Sequence, residues 1–129
     1  MGTTAIKAGS RERGPMAILI ISAIIVLVMI GLSGRANAQF RGEARLPMQW
    51  SMSGSVNWSA PRAVALSFTP MLAMGVLMLF NITVMTGQVR PGQEDLALPV
   101  LVALGALLIG VHLLHLWLMH RTLRPRRGR

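Results

Sequence analysis

Cysteine is absent from this 129-residue chain, which excludes disulfides, thiolate metal sites and thiol nucleophiles. Acidic residues are almost as scarce: Glu12, Glu43, Glu94 and Asp95 stand against 13 Lys and Arg, for a formal net charge of +9. So few carboxylates leave no paired acids for general acid–base work. No nucleophile–base pairing, phosphate loop or dinucleotide fingerprint is present either. The expectation is a protein that is not an enzyme and carries no cofactor.

More telling is where charge is missing altogether. Three stretches, Pro15 to Gly34, Ala63 to Thr86 and Leu96 to Met119, contain no Asp, Glu, Lys or Arg. Each holds about 20 residues or more, and at about 1.5 Å per residue that crosses a hydrocarbon core about 30 Å thick. A helix is the one single-segment structure that satisfies its own backbone in lipid. The expected fold class is therefore an all-α membrane protein: three transmembrane helices, over about 15–34, 63–86 and 96–119, with a short interfacial loop between the first two. The segments outside them are too short for a core of their own, so 1–129 reads as a single membrane domain. Met1 to Gly14 is polar and without periodicity, and is expected to be disordered.

The positive charges flank the apolar stretches, as orientation and contact with anionic headgroups require. The tail over 120–129 carries Arg121, Arg124, Arg126, Arg127 and Arg129. The lipid bilayer is thus the first partner implied. Nucleic acid is not, because no folded module accompanies the charge. A competing layout starts from Lys7, Arg11 and Arg13, followed by an apolar run and Ala36-Asn37-Ala38 before Gln39. That is the plan of a secretory signal with a small-x-small cleavage site. Its apolar run of about 17 residues exceeds the usual 7–15, so a retained anchor is expected.

Within the spans, a few residues stand out. Gly31, Ser33 and Gly34 weaken the end of the first. Pro70 in the second predicts a kink, with the hydroxyls of Ser67 and Thr69 placed to bond back to carbonyls it leaves free. Met71, Met74, Met78 and Met85 share one side at helical spacing and are expected to fill helix-packing gaps. Asn81, the one strong hydrogen-bonding side chain well inside this span, should face a neighbouring helix. Pro99 falls in the first turn of the third span, where proline is tolerated. Gly105 and Gly110 are five apart and do not form the four-spaced small-residue motif.

The loop over 46–62 is the most distinctive stretch outside the spans. Trp50 and Trp58 suit the headgroup interface, Gly54 permits a tight turn between them, and Arg62 is placed to snorkel. Pro47, Trp50, Gly54, Trp58 and Arg62 also follow a pattern of Pro, a spaced His, an aromatic, a later Gly, a second aromatic and a basic residue ahead of a second helix. In that pattern the loop resembles a bacterial membrane domain family of unknown function, found in the amino-terminal part of SdpI-type toxin-immunity proteins. Gln49 stands where the family has His, so a proton- or metal-dependent role of that His could not be carried over, whereas hydrogen bonding could. The resemblance implies a multi-pass inner-membrane protein that binds a peptide or protein partner. On it, Pro47, Gln49, Trp50, Gly54 and Trp58 are the candidate partner-binding residues.

Two further readings stay open. One is an accessory subunit of a larger membrane complex, or a self-associating bundle, with apolar faces docked on neighbours. The other is a metal- or haem-binding membrane protein. His112 and His115 are three apart, so both project from one helical face, and ionisable groups at depth are functional candidates. Against the second, Glu43, Glu94 and Asp95 lie in loops and none is spaced to complete a ligand set. Glu94-Asp95 is more simply favourable charge at a helix start.

With three spans, the first loop and the carboxyl tail share a side, carrying Arg35, Arg41, Arg45, Arg62 and the five tail arginines. Lys7, Arg11, Arg13 and Arg90 lie opposite. Nine against four puts the tail in the cytoplasm. A reporter active only in the cytoplasm, fused after Arg129, should therefore be active. A signal from a periplasm-specific reporter at that junction would reverse the orientation.

Overall fold

The computed structural model describes residues 2–127, with side chains from Gly14 to Pro125. Three helices dominate it: α1 (Gly2–Gln39), α2 (Arg62–Met85) and α3 (Ala97–Arg127). All three contain segments long and apolar enough to cross a membrane, namely Gly14–Gln39, Arg62–Met85 and Glu94–Pro125. The expected loop between the first two is instead a hairpin of β1 (Arg45–Trp50) and β2 (Val56–Pro61). The chain is thus mostly helical, with a two-stranded sheet at one end. The expectation of disorder before Gly14 falls on residues whose side chains lie outside those described; the backbone from Gly2 already belongs to α1.

Burial along α1 falls on Ile18, Ser22, Ile25, Met29 and Ala36, with Phe40 just past its end, and along α3 on Leu101, His112, Met119 and Leu123. Spacings of four, three, four, seven and four in the first, and of eleven, seven and four in the third, return to one face of each helix. α1 packs against both other helices and is the centre of the bundle. Two apolar clusters result. Ile25, Met29, Ala73, Leu77 and Leu101 fill the middle. Phe40, Leu46, Ala60, Leu66, Met119 and Leu123 fill the hairpin end.

Asn81 does face a neighbour. Its Nδ2 donates to Ser22 Oγ of α1 at 2.8 Å and to the Leu77 carbonyl at 2.7 Å. Such bonds between membrane helices contribute about 0.6 to 1.7 kcal/mol. The methionine stripe does not pack as expected: Met71, Met74, Met78 and Met85 all point away from the bundle. The seam of α2 is set instead by Ala65, Thr69, Ala73 and Leu77, which bring its backbone close to α1. Four-residue steps around a right-handed helix leave the methionines on the outer side.

α1 runs past Gly31, Ser33 and Gly34 to Gln39. Glycine weakens a helix by about 1 kcal/mol each, but burial of Ala36 and Phe40 holds the last turn. Its end is closed by Arg62 of α2, whose Nη1 donates to the carbonyls of Phe40, Arg41 and Glu43 at 3.1, 2.6 and 3.2 Å. Those carbonyls belong to the turn that follows the last residue of α1, and a cation beside the C-terminal end of a helix is favourable for its dipole. Arg62 therefore clamps the helix end and does not snorkel.

In the hairpin, Arg45 pairs with Pro61, Leu46 with Ala60, Pro47 with Ser59, Gln49 with Trp58 and Trp50 with Val56. Pro47 has no N–H for the ladder, and the register slips beside it, as a bulge at proline should. The tip closes by Ser51 N–H to Ser55 O at 2.8 Å and Gly54 N–H to Ser51 O at 3.0 Å. Gly54 takes φ +86° there, a conformation that other residues rarely adopt.

α1 and α3 are in close contact at Gly105, where an added Cβ would fall on the Ile25 side chain, 3.0 Å from its Cγ1. Gly105→Leu should therefore destabilise the bundle by about 1 to 3 kcal/mol through overpacking. Thermal melts in detergent should show the loss, and Ile25→Ala in the same chain should recover part of it. No recovery would place the clash elsewhere.

Candidate functional site

The polar centre of the bundle starts from a missing donor. In an α-helix the Leu66 carbonyl accepts from residue 70, which here is proline and has no N–H. Ser67 was a candidate to fill that gap, but its hydroxyl donates to Val64 O at 3.3 Å. The donor comes from the neighbouring helix: Ser33 Oγ of α1 lies 2.7 Å from Leu66 O. The same hydroxyl is 3.1 Å from His112 Nε2 of α3. Ser33 has one proton, and Leu66 O can only accept, so the hydroxyl proton goes to the carbonyl. His112 must then donate from Nε2, which fixes its tautomer. One oxygen thus joins all three helices, between the two apolar clusters.

His112 is fully buried, and its Nδ1 has no hydrogen-bond partner among the described residues; neither has the buried Nε2 of His115. His115 packs edge-on against Trp50, with ring centroids 5.8 Å apart and planes at 82°, a favourable aromatic geometry. The Trp50 indole N–H donates to Thr122 Oγ1 at 2.9 Å, and the Thr122 hydroxyl donates to Leu118 O at 2.7 Å. The hairpin is therefore fastened to α3 through Trp50, one turn either side of Leu118.

The five residues singled out from the loop separate. Pro47 is buried and Trp50 half-buried against α3, whereas Gln49 and Trp58 lie opposite one another on the exposed side. Gly54 shapes the tip. Of the paired strand residues, Gln49 and Trp58 present their side chains on the exposed side, while Trp50 and Pro47 hold the hairpin in place. The loop and histidine readings, separate in sequence, are physically joined, because Trp50 rests on His115. Ser33, Thr122 and the Leu66 carbonyl carry the junction, a role that sequence alone does not assign them. Ser33 reads there as a helix-weakening residue, and its pairing with Pro70 needs the register of α1 against α2, which no spacing reveals.

For a metal or cofactor, His112 Nδ1 and His115 Nε2 are the uncommitted donors. Among the described residues, no three of His, Cys, Asp and Glu come together. Comparison with family models, with characterised proteins and with solved structures gives no match to this chain.

Removing the Ser33 hydroxyl should cost about 1 to 2 kcal/mol, since a buried acceptor is left unmet. Pro70→Ala restores an N–H for Leu66 O, so Ser33→Ala should cost clearly less in that background. A double-mutant cycle by reversible unfolding in mixed micelles reads the difference. Equal costs in the two backgrounds would sink the assignment.

Proposed function

We propose that this chain is a multi-pass protein of a bacterial inner membrane, without catalysis of its own, whose hairpin engages a protein or peptide partner at the membrane surface. The role is immunity-like or regulatory, in keeping with the sequence pattern of Pro47, Trp50, Gly54 and Trp58. The observation that carries it is the exposed Trp58, with 53% of its surface accessible, held across from Gln49. Those two sit on strands already ordered by Trp50, Arg62 and the buried Leu46 and Ala60. A pre-ordered aromatic loses little freedom on binding, which favours affinity. With the tail cytoplasmic, this face is on the cytoplasmic side.

A second reading, a subunit of a larger assembly, is favoured by the outward methionine stripe. It borders an apolar cleft of about 420 Å³ between α1 and α2, lined by Ile30, Gly34, Leu66, Pro70, Met71 and Met74. Adaptable methionine surfaces suit greasy partners.

A photo-crosslinking residue at position 58, in cells, tests the first reading. A discrete protein or peptide adduct is expected. Trp58→Ala should weaken capture of that partner by about thirtyfold, near 2 kcal/mol, while the protein remains inserted. Gln49→Ala should cost less, about 0.5 to 1.5 kcal/mol. Adducts with lipid alone would overturn partner binding by this face, and adducts with a second copy would promote the assembly reading.

A further inference from the structure

The α3-facing side of the hairpin tip encloses a cavity of about 600 Å³ that none of the preceding roles uses. Trp50, Ser51, Ser53, Arg121, Thr122 and Pro125 line it, with Met52, Gly54 and Leu118. No acidic side chain among the described residues borders it. Ser51 and Ser53 bring hydroxyls to its lining, their Oγ atoms 2.8 Å apart, and Ser55 Oγ lies 2.6 Å from Ser51 Oγ. Arg121 lies over the Trp117 ring, 5.3 Å from its centroid, and no carboxylate among the described residues pairs with it. Its guanidinium is thus held in place with its charge unanswered.

The surroundings make that charge harder to leave bare. At this end of the bundle the described side chains include Arg35, Arg41, Arg45, Arg62, Arg121 and Arg124, and the one acid in the connecting segment is Glu43. Arg62 is committed to the end of α1. The exposed rings of Trp58 and Trp117 mark headgroup depth, as such aromatics do. Below the cavity, Leu113, Leu114 and Trp117 expose an apolar flank of α3.

We propose that this cavity binds the phosphodiester headgroup of an anionic phospholipid. Arg121 neutralises the phosphate, the serine hydroxyls at the tip donate to its oxygens, and an acyl chain runs down the outer side of α3. Arg presents a planar fork of donors suited to phosphate, and hydroxyls serve the remaining oxygens or a polyol head. The charge chooses the occupant: a neutral zwitterionic lipid brings its own cation beside Arg121, whereas an anionic one does not. The site lies on the α3 side of the hairpin, so it stands whether or not Gln49 and Trp58 bind a protein.

Native mass spectrometry of the full chain, released from micelles doped with phosphatidylglycerol or phosphatidylcholine, tests it. One phosphatidylglycerol per chain should be retained where phosphatidylcholine is lost. Arg121→Gln should weaken retention about tenfold, and Arg124→Gln, outside the cavity, at most about threefold, the part due to general surface charge. Equal losses in the two variants would mean a diffuse basic surface and overturn the site. Ser53→Asp, at the exposed tip, places an anion in the cavity without touching the helices and should also expel the lipid; undiminished retention there overturns the proposal even if Arg121→Gln fails to fold. Inorganic phosphate at millimolar concentration should leave retention unchanged, and complete displacement by it would reassign the cavity to free phosphate.

Discussion

Pro70 removes one N–H from α2, and the arrangement of the three helices follows from how that loss is met. In a bilayer a carbonyl without a donor is costly, because lipid supplies none. The Ser33 hydroxyl meets it from α1, and His112 completes the hydroxyl from α3. Apolar contact cannot do this, since between membrane helices it has little preference for one register over another; lipid tails are as greasy as leucine. A hydrogen bond that only one alignment permits does have such a preference. The defect in α2 is thus what makes the bundle specific, and Asn81 with Ser22 repeats the device nearer the other end.

The hairpin inherits its position from that register. Leu66, whose carbonyl is bound by Ser33, also presents its side chain to the cluster containing Leu46 and Ala60 of the strands. His112 sits one turn before His115, on which Trp50 rests. Arg62 then joins the end of α1 to the start of α2 by three carbonyls at once. The small sheet would be marginal alone, as a two-stranded hairpin usually is. It is ordered because one of its faces is part of the bundle.

The three spans were legible because an uncharged run of such length has few other uses, and Asn81 because a polar amide at depth needs a partner. Their ends were less so: Gly31 and Gly34 read as a stop, yet tertiary burial of Ala36 and Phe40 carried the helix on. The strands were hidden by Pro47 and by the register slip next to it, which break the alternation that marks a strand. The methionines misled because spacing shows that residues share a side of a helix but not which side faces inward. Trp50 shows a related limit of sequence. An aromatic in an interfacial loop has the same signature whether it grips a partner or its own third helix. The partner of Pro70 was beyond reach because Ser33 is 37 residues away in sequence, and the bond depends on how α1 and α2 slide past one another.

Arginine shows how little residue type alone decides here. Arg62 and Arg121 count equally in the charge balance that orients the chain, and both stand at helix ends near the headgroup level. Arg62 is half-buried and donates from Nη1 to the Phe40, Arg41 and Glu43 carbonyls, in the turn just past the negative end of the α1 dipole. Among the described residues Arg121 has only the face of Trp117, which attracts the cation but accepts no conventional hydrogen bond. The first is electrically complete within the fold; the second is oriented and incomplete. With no carboxylate among the described residues beside it, that charge is the one the proposed anionic headgroup would answer.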